Sequence, residues 1–235
     1  MTEISSHATH STPDPERLPE RSLRARKKQR TREQIADVAL GLFLARGYDA
    51  VTLTDIAQRA EVSVNTIFNY FGAKEDLVFD RQAEVEDRWS QVARARLPGE
   101  AIVTAFRREF LASLAARDPR TGLNDALVPF MRLIQSSPAL QAREREIGER
   151  AERRLARTLA DVVPTLPDEH SPYLVASLLM AVTRSLHAMI RRRLLAGASV
   201  DTIYPVVRAS AEQAFDLLEG GIGAYGAAVV ACPDL

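Results

Sequence analysis

The sequence predicts an all-α protein in which a small N-terminal group of three helices is joined by a long helix to a larger all-helical domain. Three observations predict this fold class. Apolar residues recur at helical spacing nearly throughout the chain from Glu33 onwards, glycine and proline residues interrupt that pattern at short breaks, and the only hint of a strand, Asp49–Leu53, is too short for a sheet. A chain of 235 residues that is 46% hydrophobic is long enough to bury a sizeable core.

The composition excludes several classes of protein. Thirty-one basic residues balance 31 acidic ones, so any attraction to nucleic acid has to be local. The single cysteine, Cys232, excludes a disulfide framework and a cysteine-based zinc site. No apolar run approaches the roughly 18 residues of a membrane span, and the N-terminus lacks the apolar region of a secretory signal. We therefore expect a cytoplasmic protein that uses no membrane, metal or cofactor.

The N-terminus divides into a polar tail and a basic run. Residues 1–23 are predicted to be a disordered tail, because residues 1–20 are almost free of apolar side chains. The basic run follows, with seven positive charges and no acid within residues 21–32. Its members are Arg21, Arg24, Arg26, Lys27, Lys28, Arg30 and Arg32.

The first helix of the N-terminal group carries one apolar stripe with the spacing i, i+3, i+4, i+7, i+8. The stripe consists of Ile35, Val38, Ala39, Leu42 and Phe43. Gly47 stands where a glycine should end this helix. A second, short helix begins after Thr52, which is a favourable N-cap residue.

A third helix is predicted over Val64–Tyr70, with Ser63 as its N-cap residue. A break at Gly72-Ala73 precedes a long fourth helix. That helix has Glu75 and Asp76 in its first turn, where the helix dipole favours acids.

The second and third helices form a helix-turn-helix arrangement, whose second helix enters the major groove of DNA. At about 100° per residue, Ile67 and Phe71 point towards the core, whereas Asn65 and Asn69 point away from it, one turn apart. An outward asparagine can pair bidentately with adenine, so this face is suited to reading bases. The alternative is that both asparagines are ordinary solvated helix residues.

The segment Thr31–Leu77 resembles the tetracycline-repressor (TetR) family of bacterial transcriptional regulators. The resemblance covers 47 of the 235 residues, and beyond it only length and helical character match. The matching residues are Ile35, Ala39, Leu42, Phe43, Gly47, Tyr48, Thr52, Ile56, Ala57, Ala60, Val62-Ser63, Thr66-Ile67-Phe68, Tyr70-Phe71, Lys74-Glu75 and Leu77.

This resemblance implies DNA-binding roles for particular positions. Thr52, Tyr70 and Lys74 fall where the family contacts phosphates, and other positions fall where it meets bases or the nearby backbone. We assign sequence specificity to Thr54, Asn65 and Asn69, because base contacts carry the sequence information. The complete predicted set is Thr52, Thr54, Ser63, Val64, Asn65, Thr66, Phe68, Asn69, Tyr70 and Lys74.

Three residues depart from the family's pattern. Glu61 replaces the usual glycine of the turn, so either the turn tolerates a side chain or stability is sacrificed to a positive φ. Phe68 stands where a tyrosine is frequent, which removes a hydroxyl contact to phosphate. Ala73 replaces a common N-cap serine and weakens the start of the fourth helix.

Charge in the N-terminal part is unevenly distributed. Residues 33–81 hold four basic and eight acidic side chains, a net charge of −4, and would attract DNA poorly without the preceding basic run. We therefore predict a basic arm that lies along the DNA backbone or enters a minor groove; the alternative is a solubilising tail. The arm residues are Arg24, Arg26, Lys27, Lys28, Arg30 and Arg32.

Five further helices are predicted in the larger domain. The last two are the most apolar, and the resemblance implies that they form a homodimer interface, a four-helix bundle built by two chains. A dimer also suits two recognition helices that read half-sites spaced by whole turns of DNA. The predicted bounds are Glu100–Arg117, Leu123–Ser136, Pro138–Val163, Pro172–Ala196 and Val200–Glu219.

A small-molecule pocket is expected in the middle of this domain, although aromatic and methionine residues at helical spacing also suit a packed core. Arg184 and His187 interrupt a helix face that should be buried, so they either hold a polar ligand group or pair across the dimer. The candidate lining residues are Trp89, Phe106, Phe110, Phe130, Met131, Met180, Arg184 and His187.

These features predict a ligand-responsive, DNA-binding transcriptional regulator, most simply a repressor that a small molecule releases from its operator. The alternatives are an activator with the same N-terminal headpiece and an all-helical interaction protein without specific DNA binding. The predicted parts are the tail (1–23), the helix-turn-helix domain with its basic arm (24–77), the ligand-binding and dimerisation domain (78–220) and a flexible C-terminal tail (221–235).

An enzyme is not predicted. The four histidines show no metal-ligand spacing, and neither a Gly-x-Ser-x-Gly elbow nor a phosphate loop occurs. The segment Gly221–Gly226 matches G-x-G-x-x-G, but it follows a helix instead of a strand and leaves no room for a nucleotide-binding helix.

Overall fold

The computed structural model describes residues 20–163 and 170–223 and confirms the all-α prediction, since no strand occurs within these ranges. The α-helices are α1 (Glu20–Arg46), α2 (Leu53–Arg59), α3 (Val64–Tyr70), α4 (Gln82–Arg94), α5 (Ile102–Ala115), α6 (Val128–Ser136), α7 (Pro138–Val162), α8 (Ser171–Leu195) and α9 (Val200–Ile222). Short 3-10 helices lie at Lys74–Leu77, Pro119–Thr121 and Asp125–Leu127.

The headpiece, formed by α1, α2 and α3, packs around one apolar core. Ile35, Phe43, Ile56, Ile67 and Phe71 are all at most 2% exposed there, in agreement with the predicted stripe of α1 and inward face of α3. Burial of such side chains is the main force that holds short helices together, because helices of seven residues are not stable alone.

The beginning of α1 differs from the prediction. The helix begins at Glu20, so the predicted tail ends earlier than residue 23; residues 1–19 lie outside the described part of the chain. Residues 23–30 are exposed throughout, and the segment 20–31 extends about 18 Å at 1.5 Å per residue. Arginine, lysine, glutamine and alanine all have high helix propensity, which lets α1 continue through the basic run.

The segment after α3 also differs from the predicted long fourth helix. Lys74–Leu77 forms a 3-10 helix, and α4 begins only at Gln82. The carboxylate of Asp76 accepts the backbone N–H groups of Gly72 and Ala73, both at 3.1 Å. Asp76 thus provides the acceptor that Ala73 lacks. Leu77 and the residue after it are both buried, which turns the chain before α4 starts.

The body, formed by α4 to α9, has a second core that includes residues from each of these helices. The bounds of α7, α8 and α9 agree with prediction to within three residues. Helix α6 begins at Val128 and not at Leu123, because the Asn124 side chain accepts the N–H of Ala126 and holds a 3-10 turn before it. Helix α9 continues to Ile222, so Gly221 is helical and not part of a flexible tail; residues 224–235 lie outside the described ranges.

The headpiece and the body share side chains at their junction. Leu133, Ile134 and Leu140, from α6 and α7, belong to the headpiece core, and the Phe79 and Phe130 rings meet edge to face at 6.3 Å. The predicted boundary between residues 77 and 78 therefore lies inside a continuous apolar core. Phe130, a predicted pocket residue, packs at this junction instead of in the body core.

Helix α8 is the part of the described chain that is long and apolar enough to cross a membrane by length and composition. Its residues Val175, Leu179, Leu186 and Ile190 are nevertheless at most 3% exposed, and they belong to the body core. A helix that packs in this way is typical of the centre of a globular domain.

Candidate nucleic-acid interface

Helices α2 and α3 are each fixed by an N-terminal cap. The Thr52 hydroxyl accepts the N–H of Asp55 at 3.1 Å, and the Asp55 carboxylate accepts the N–H and the hydroxyl of Thr52 at 2.8 and 2.7 Å. Ser63 accepts the N–H of Thr66 at 3.0 Å and begins α3 as predicted. These contacts satisfy backbone N–H groups that the helix itself leaves unpaired. They also engage both donors of Thr52, a predicted phosphate contact.

The turn between α2 and α3 adopts a strained backbone at Glu61. Its φ is +56°, in the left-handed region where glycine is preferred. Of the two alternatives considered for this glycine replacement, the structure shows the positive φ. The N–H of Val62 donates to the carbonyl of Ala57 at 2.9 Å, so the turn is held closed, and the Glu61 side chain is exposed.

The predicted reading face of α3 is confirmed as an exposed surface. Asn65, Phe68 and Asn69 are exposed, and Phe68 reaches 56%, whereas Ile67 on the opposite side is 1% exposed. Val64, Thr66 and Tyr70 are half-buried beside this face, and Thr54 is exposed at the start of α2. Helix α3 contains no charged residue, so its side-chain hydrogen-bonding groups are amides and hydroxyls.

Arg32 is bound within the headpiece and is not available as part of a free arm. Its guanidinium donates to the carbonyl of Tyr70, pairs with Asp80 at 2.6 Å and lies 4.2 Å from the centre of the Phe71 ring. The structure therefore separates Arg32 from the exposed cations of the basic run, and its contact with the DNA backbone stays a prediction. Arg32 instead fastens α1 to the end of α3 and to the loop before α4.

Lys74 contacts the headpiece as well. Its ammonium donates to the carbonyl of Tyr48 at 2.7 Å and lies 4.2 Å from the centre of the Tyr48 ring. The Tyr48 hydroxyl donates to Glu75 at 2.7 Å, and burial together with that carboxylate raises the pKa of Tyr48 above its usual value. An ammonium has three donors, so Lys74 retains two for the predicted phosphate contact.

The other cations of the basic run are exposed on α1. Within the described ranges none of them forms an ion pair with an acidic side chain, so their charge is free to meet phosphate groups. The basic run is helical in the structure, whereas a flexible arm was predicted. Its cations are therefore spaced along a stiff extension of α1. These exposed cations are Arg24, Arg26, Lys27, Lys28 and Arg30.

Most of the predicted pocket residues pack in the body core. The Trp89 and Phe106 rings stack at 4.6 Å, and both side chains are at most 5% exposed. Three more, Phe110, Met131 and Met180, are at most 6% exposed. Packing in the core, which was the alternative to lining a pocket, therefore explains the helical spacing of these residues.

The two polar candidates on α8 have different surroundings. Arg184 is exposed and pairs with Glu152 at 2.7 Å, so the expectation that it interrupts a buried face is wrong. His187 contacts the Phe110 ring, and its Nε2 atom is buried without a hydrogen-bond partner. Burial, reinforced by the charges of Arg88 and Arg191, lowers the pKa of His187 to about 4, so the imidazole is neutral at pH 7.

Sequence reasoning missed one buried charged residue, Arg88 of α4, whose side chain is 10% exposed. The signal was present, because Arg88 lies next to Trp89 and four positions before Val92, two apolar residues that pack in or against the body core. A cationic residue at such a position indicates either an internal ion pair or a binding site.

Comparison with known proteins agrees with this geometry. The family described as bacterial regulatory proteins, tetR family, matches residues 35–80. The HTH-type transcriptional regulator TcmR of Streptomyces glaucescens is 33% identical over 186 residues, which cover 77% of this chain and 80% of TcmR. The HTH-type transcriptional repressor KstR of Rhodococcus jostii is 29% identical over 164 residues, covering 68% of this chain and 74% of KstR.

The solved structures show the same fold. A putative TetR-family transcriptional regulator from Mesorhizobium loti superposes with a TM-score of 0.51 at 20% identity and covers 81% of this chain and 97% of its own. At that identity the likeness extends to the fold alone. The alignment with TcmR, by contrast, extends from the headpiece well into the body.

Proposed function

Because this chain belongs to the TetR family of bacterial regulatory proteins and is a helix-turn-helix transcriptional regulator, we propose that it is a homodimeric repressor that a small molecule releases from operator DNA. The observation that carries the proposal is the exposed, uncharged face of α3, where Asn65 and Asn69 stand one turn apart above a buried Ile67. Amide side chains on such a face suit base reading, and phosphate contacts come from elsewhere.

We assign the dimer interface to α8 and α9. Tyr173, Leu174 and Leu178 of α8 are 55%, 61% and 36% exposed, and Leu217 of α9 is 75% exposed. Apolar side chains clustered on two neighbouring helices indicate a surface that a partner covers. A second copy is the favoured partner, since a two-fold dimer presents two α3 helices to two half-sites.

Replacing both Leu174 and Leu217 by glutamate is expected to raise the dissociation constant of the dimer at least tenfold. Each substitution occurs twice in a two-fold interface, and burying one leucine contributes about 1.5–3 kcal/mol. Sedimentation velocity over a dilution series measures the change. Leu97→Glu is the control, because Leu97 is 60% exposed but lies in the connection before α5. An unchanged dimer in the double variant would place the interface elsewhere.

The exposed cations of α1 are proposed to supply attraction to phosphate, because residues 33–81 carry a net charge of −4. Replacing Lys27 and Lys28 by glutamine is expected to flatten the dependence of log K on log salt by about 0.9 for each phosphate group that is no longer neutralised. The helix is retained, since glutamine has a helix propensity close to that of lysine. Fluorescence anisotropy at a series of salt concentrations measures the slope.

The matched control for this prediction is Arg145→Gln/Arg157→Gln, which removes the same charge from exposed positions of α7. Its slope is expected to equal that of the unaltered protein. If the Lys27→Gln/Lys28→Gln variant has the same slope as the unaltered protein and the control, these two lysines neutralise no phosphate group. That result would favour the alternative in which the basic run is a solubilising segment.

The proposed function is tested by selecting genomic fragments with the purified full-length protein at about 0.15 M salt, where screening is physiological. We expect a short palindromic site whose half-sites lie about one or two turns of DNA apart. Diffuse binding without a common site would favour the interaction protein, and transcription that rises with bound protein would favour an activator. The proposal implies that the protein acts in the cytoplasm and has no catalytic activity.

Release by a small molecule requires that the effector bind the DNA-free form more tightly than the operator-bound form. Helix α4 is the first α-helix after the headpiece, and its Glu86 and Asp87 pair with Arg150 and Arg154 of α7 at 2.7 and 2.6 Å. Such contacts allow a ligand in the body to bias the position of α4. Titrating the operator complex with candidate compounds checks this, and failure of every compound to weaken it would exclude the switch.

A further inference from the structure

Arg88 of α4 is a buried cation with unused hydrogen-bonding capacity. Its Nη1 atom donates to the carbonyl of Arg120 and its Nη2 atom to the Ser113 hydroxyl, both at 3.1 Å. Within the described chain, Glu109 is the only carboxylate within 4.0 Å of it, at 3.9 Å, which is beyond hydrogen-bond distance. The Nε atom is buried without any partner. A buried N–H group without a partner costs free energy, so this guanidinium is suited to donate a hydrogen bond to a bound anion.

The guanidinium lies at a cleft of about 220 Å³ between α4, α5 and the 3-10 turn Pro119–Thr121. Gln91 and Val92 of α4, with Ala95 directly after it, form one wall, and Arg108, Glu109 and Arg120 line the rest. The cleft therefore combines apolar surface with cationic groups, which is the composition of a small-molecule site.

The charges around the cleft differ in how well they are paired. Arg120 forms a close ion pair with Asp118 at 2.5 Å, which engages its Nε and Nη2 donors. Glu109 instead accepts the Ser113 hydroxyl at 3.0 Å and stays at a distance from Arg88. Burial, and after it the charge of the neighbouring Arg120, lower the pKa of Arg88, which means that its charged form is destabilised at this position. An incoming anion would relieve that cost.

The surroundings of Arg88 favour an anion with an apolar body. The Arg88 guanidinium lies 4.9 Å from the Trp89 ring, which in turn stacks on Phe106. Trp89 and Phe106 are at most 5% exposed and pack behind Arg88 in the body core, whereas Val92 and Ala95 supply the apolar surface of the cleft itself. In such surroundings a charge-assisted hydrogen bond is stronger than in water.

We propose that this cleft is the effector site and that Arg88 binds the carboxylate of a small organic acid with an apolar or aromatic body. The inference rests on the proposed ligand-responsive function and specifies its ligand class. The carboxylate takes the position next to Arg88 that Glu109 does not fill, and the apolar body lies against Val92 and Ala95. Because Arg88 is on α4, this contact acts on the first α-helix after the headpiece.

The experiment compares acids with their neutral amides on the full-length protein: benzoate against benzamide, and phenylacetate against phenylacetamide. Isothermal titration measures binding, and thermal unfolding measures stabilisation. We expect each acid to bind at least about tenfold more tightly than its amide, because a charge-assisted contact is absent from the amide. Equal binding of acid and amide, or binding of neither, would overturn the proposal.

Three variants locate the site. Arg88→Gln is expected to abolish the preference for acids, and Glu109→Gln is expected to strengthen acid binding several-fold by removing the competing carboxylate. Arg107→Gln is the control, since Arg107 is on the same helix as Glu109 but pairs with Asp216 at 2.6 Å, outside the cleft. If Arg88→Gln fails to fold, Glu109→Gln decides: unchanged or weaker acid binding in that variant contradicts the proposal.

The two proposals fail in different ways. An acid that binds with the expected dependence on Glu109 but never weakens the operator complex would refute release by a ligand and leave the site intact. A neutral compound that releases the operator equally well in the Arg88→Gln variant would refute the acid site and leave the ligand-responsive function intact.

Discussion

The Asn65→Ala/Asn69→Ala variant is expected to bind the operator roughly a thousandfold more weakly than the unaltered protein. A bidentate amide–adenine pair contributes about 1–3 kcal/mol of discrimination. A dimer presents two asparagines to each of two half-sites, so the substitutions remove four such pairs, and even the lowest value gives about 4 kcal/mol. Non-specific binding should persist, because the cations of the basic run are unchanged.

Folding should be nearly unaffected in this variant, since Asn65 and Asn69 are exposed and lie on the side of α3 opposite Ile67. Anisotropy titrations with operator and with unrelated DNA measure the two affinities, and urea denaturation measures stability. Retention of operator affinity would mean that α3 does not read the bases. A large loss of stability would mean that the assignment of the faces of α3 is wrong.

The Phe71→Ala variant is expected to lose about 3–5 kcal/mol of unfolding free energy, because a buried phenylalanine leaves a cavity when it is truncated. Phe71 is 2% exposed, and its ring also lies under the Arg32 guanidinium. The substitution therefore removes core packing. It also removes the ring that the Arg32 guanidinium covers, at the point where Arg32 links α1 to the end of α3. Urea denaturation followed by circular dichroism measures the change.

Phe68→Ala is the matched control, with the same residue type three positions earlier on α3 and 56% exposed. Its stability should stay within about 0.5 kcal/mol of the unaltered protein, as for most surface substitutions. Equal destabilisation by the two substitutions would contradict the orientation of α3. Operator binding by Phe68→Ala, measured in parallel, shows whether its ring contributes to the DNA contact.

Local signals in the sequence predicted the features that depend on neighbouring residues. Ser63 caps the helix that begins beside it, the period of 3.6 residues separates Ile67 from Asn69, and glycine ends α1 at Gly47 with a φ of +85°. Each of these features is decided by interactions within a few residues, so a pattern along the chain is enough to find it.

Contacts between distant residues could not be predicted in the same way. Arg32 was assigned to a free arm with the other cations, yet its carbonyl partner, Tyr70, is 38 residues away. Asp76 was assigned to the first turn of a long helix, and its ion pair with Arg143 spans 67 residues. A pocket could not be located from the candidate residues for the same reason. Periodicity identifies which side chains are buried, but it does not show whether space remains between them.

The core that the headpiece shares with α6 and α7 has a consequence for hybrid regulators. A chimera that joins this headpiece to another body at residue 77 would leave Leu133, Ile134 and Leu140 behind, together with Arg143, the partner of Asp76. The transplanted part would then expose apolar surface and a carboxylate without its counter-ion. The unit that must be transplanted to transfer DNA specificity is therefore discontinuous in sequence. It consists of the headpiece together with the end of α6 and the beginning of α7.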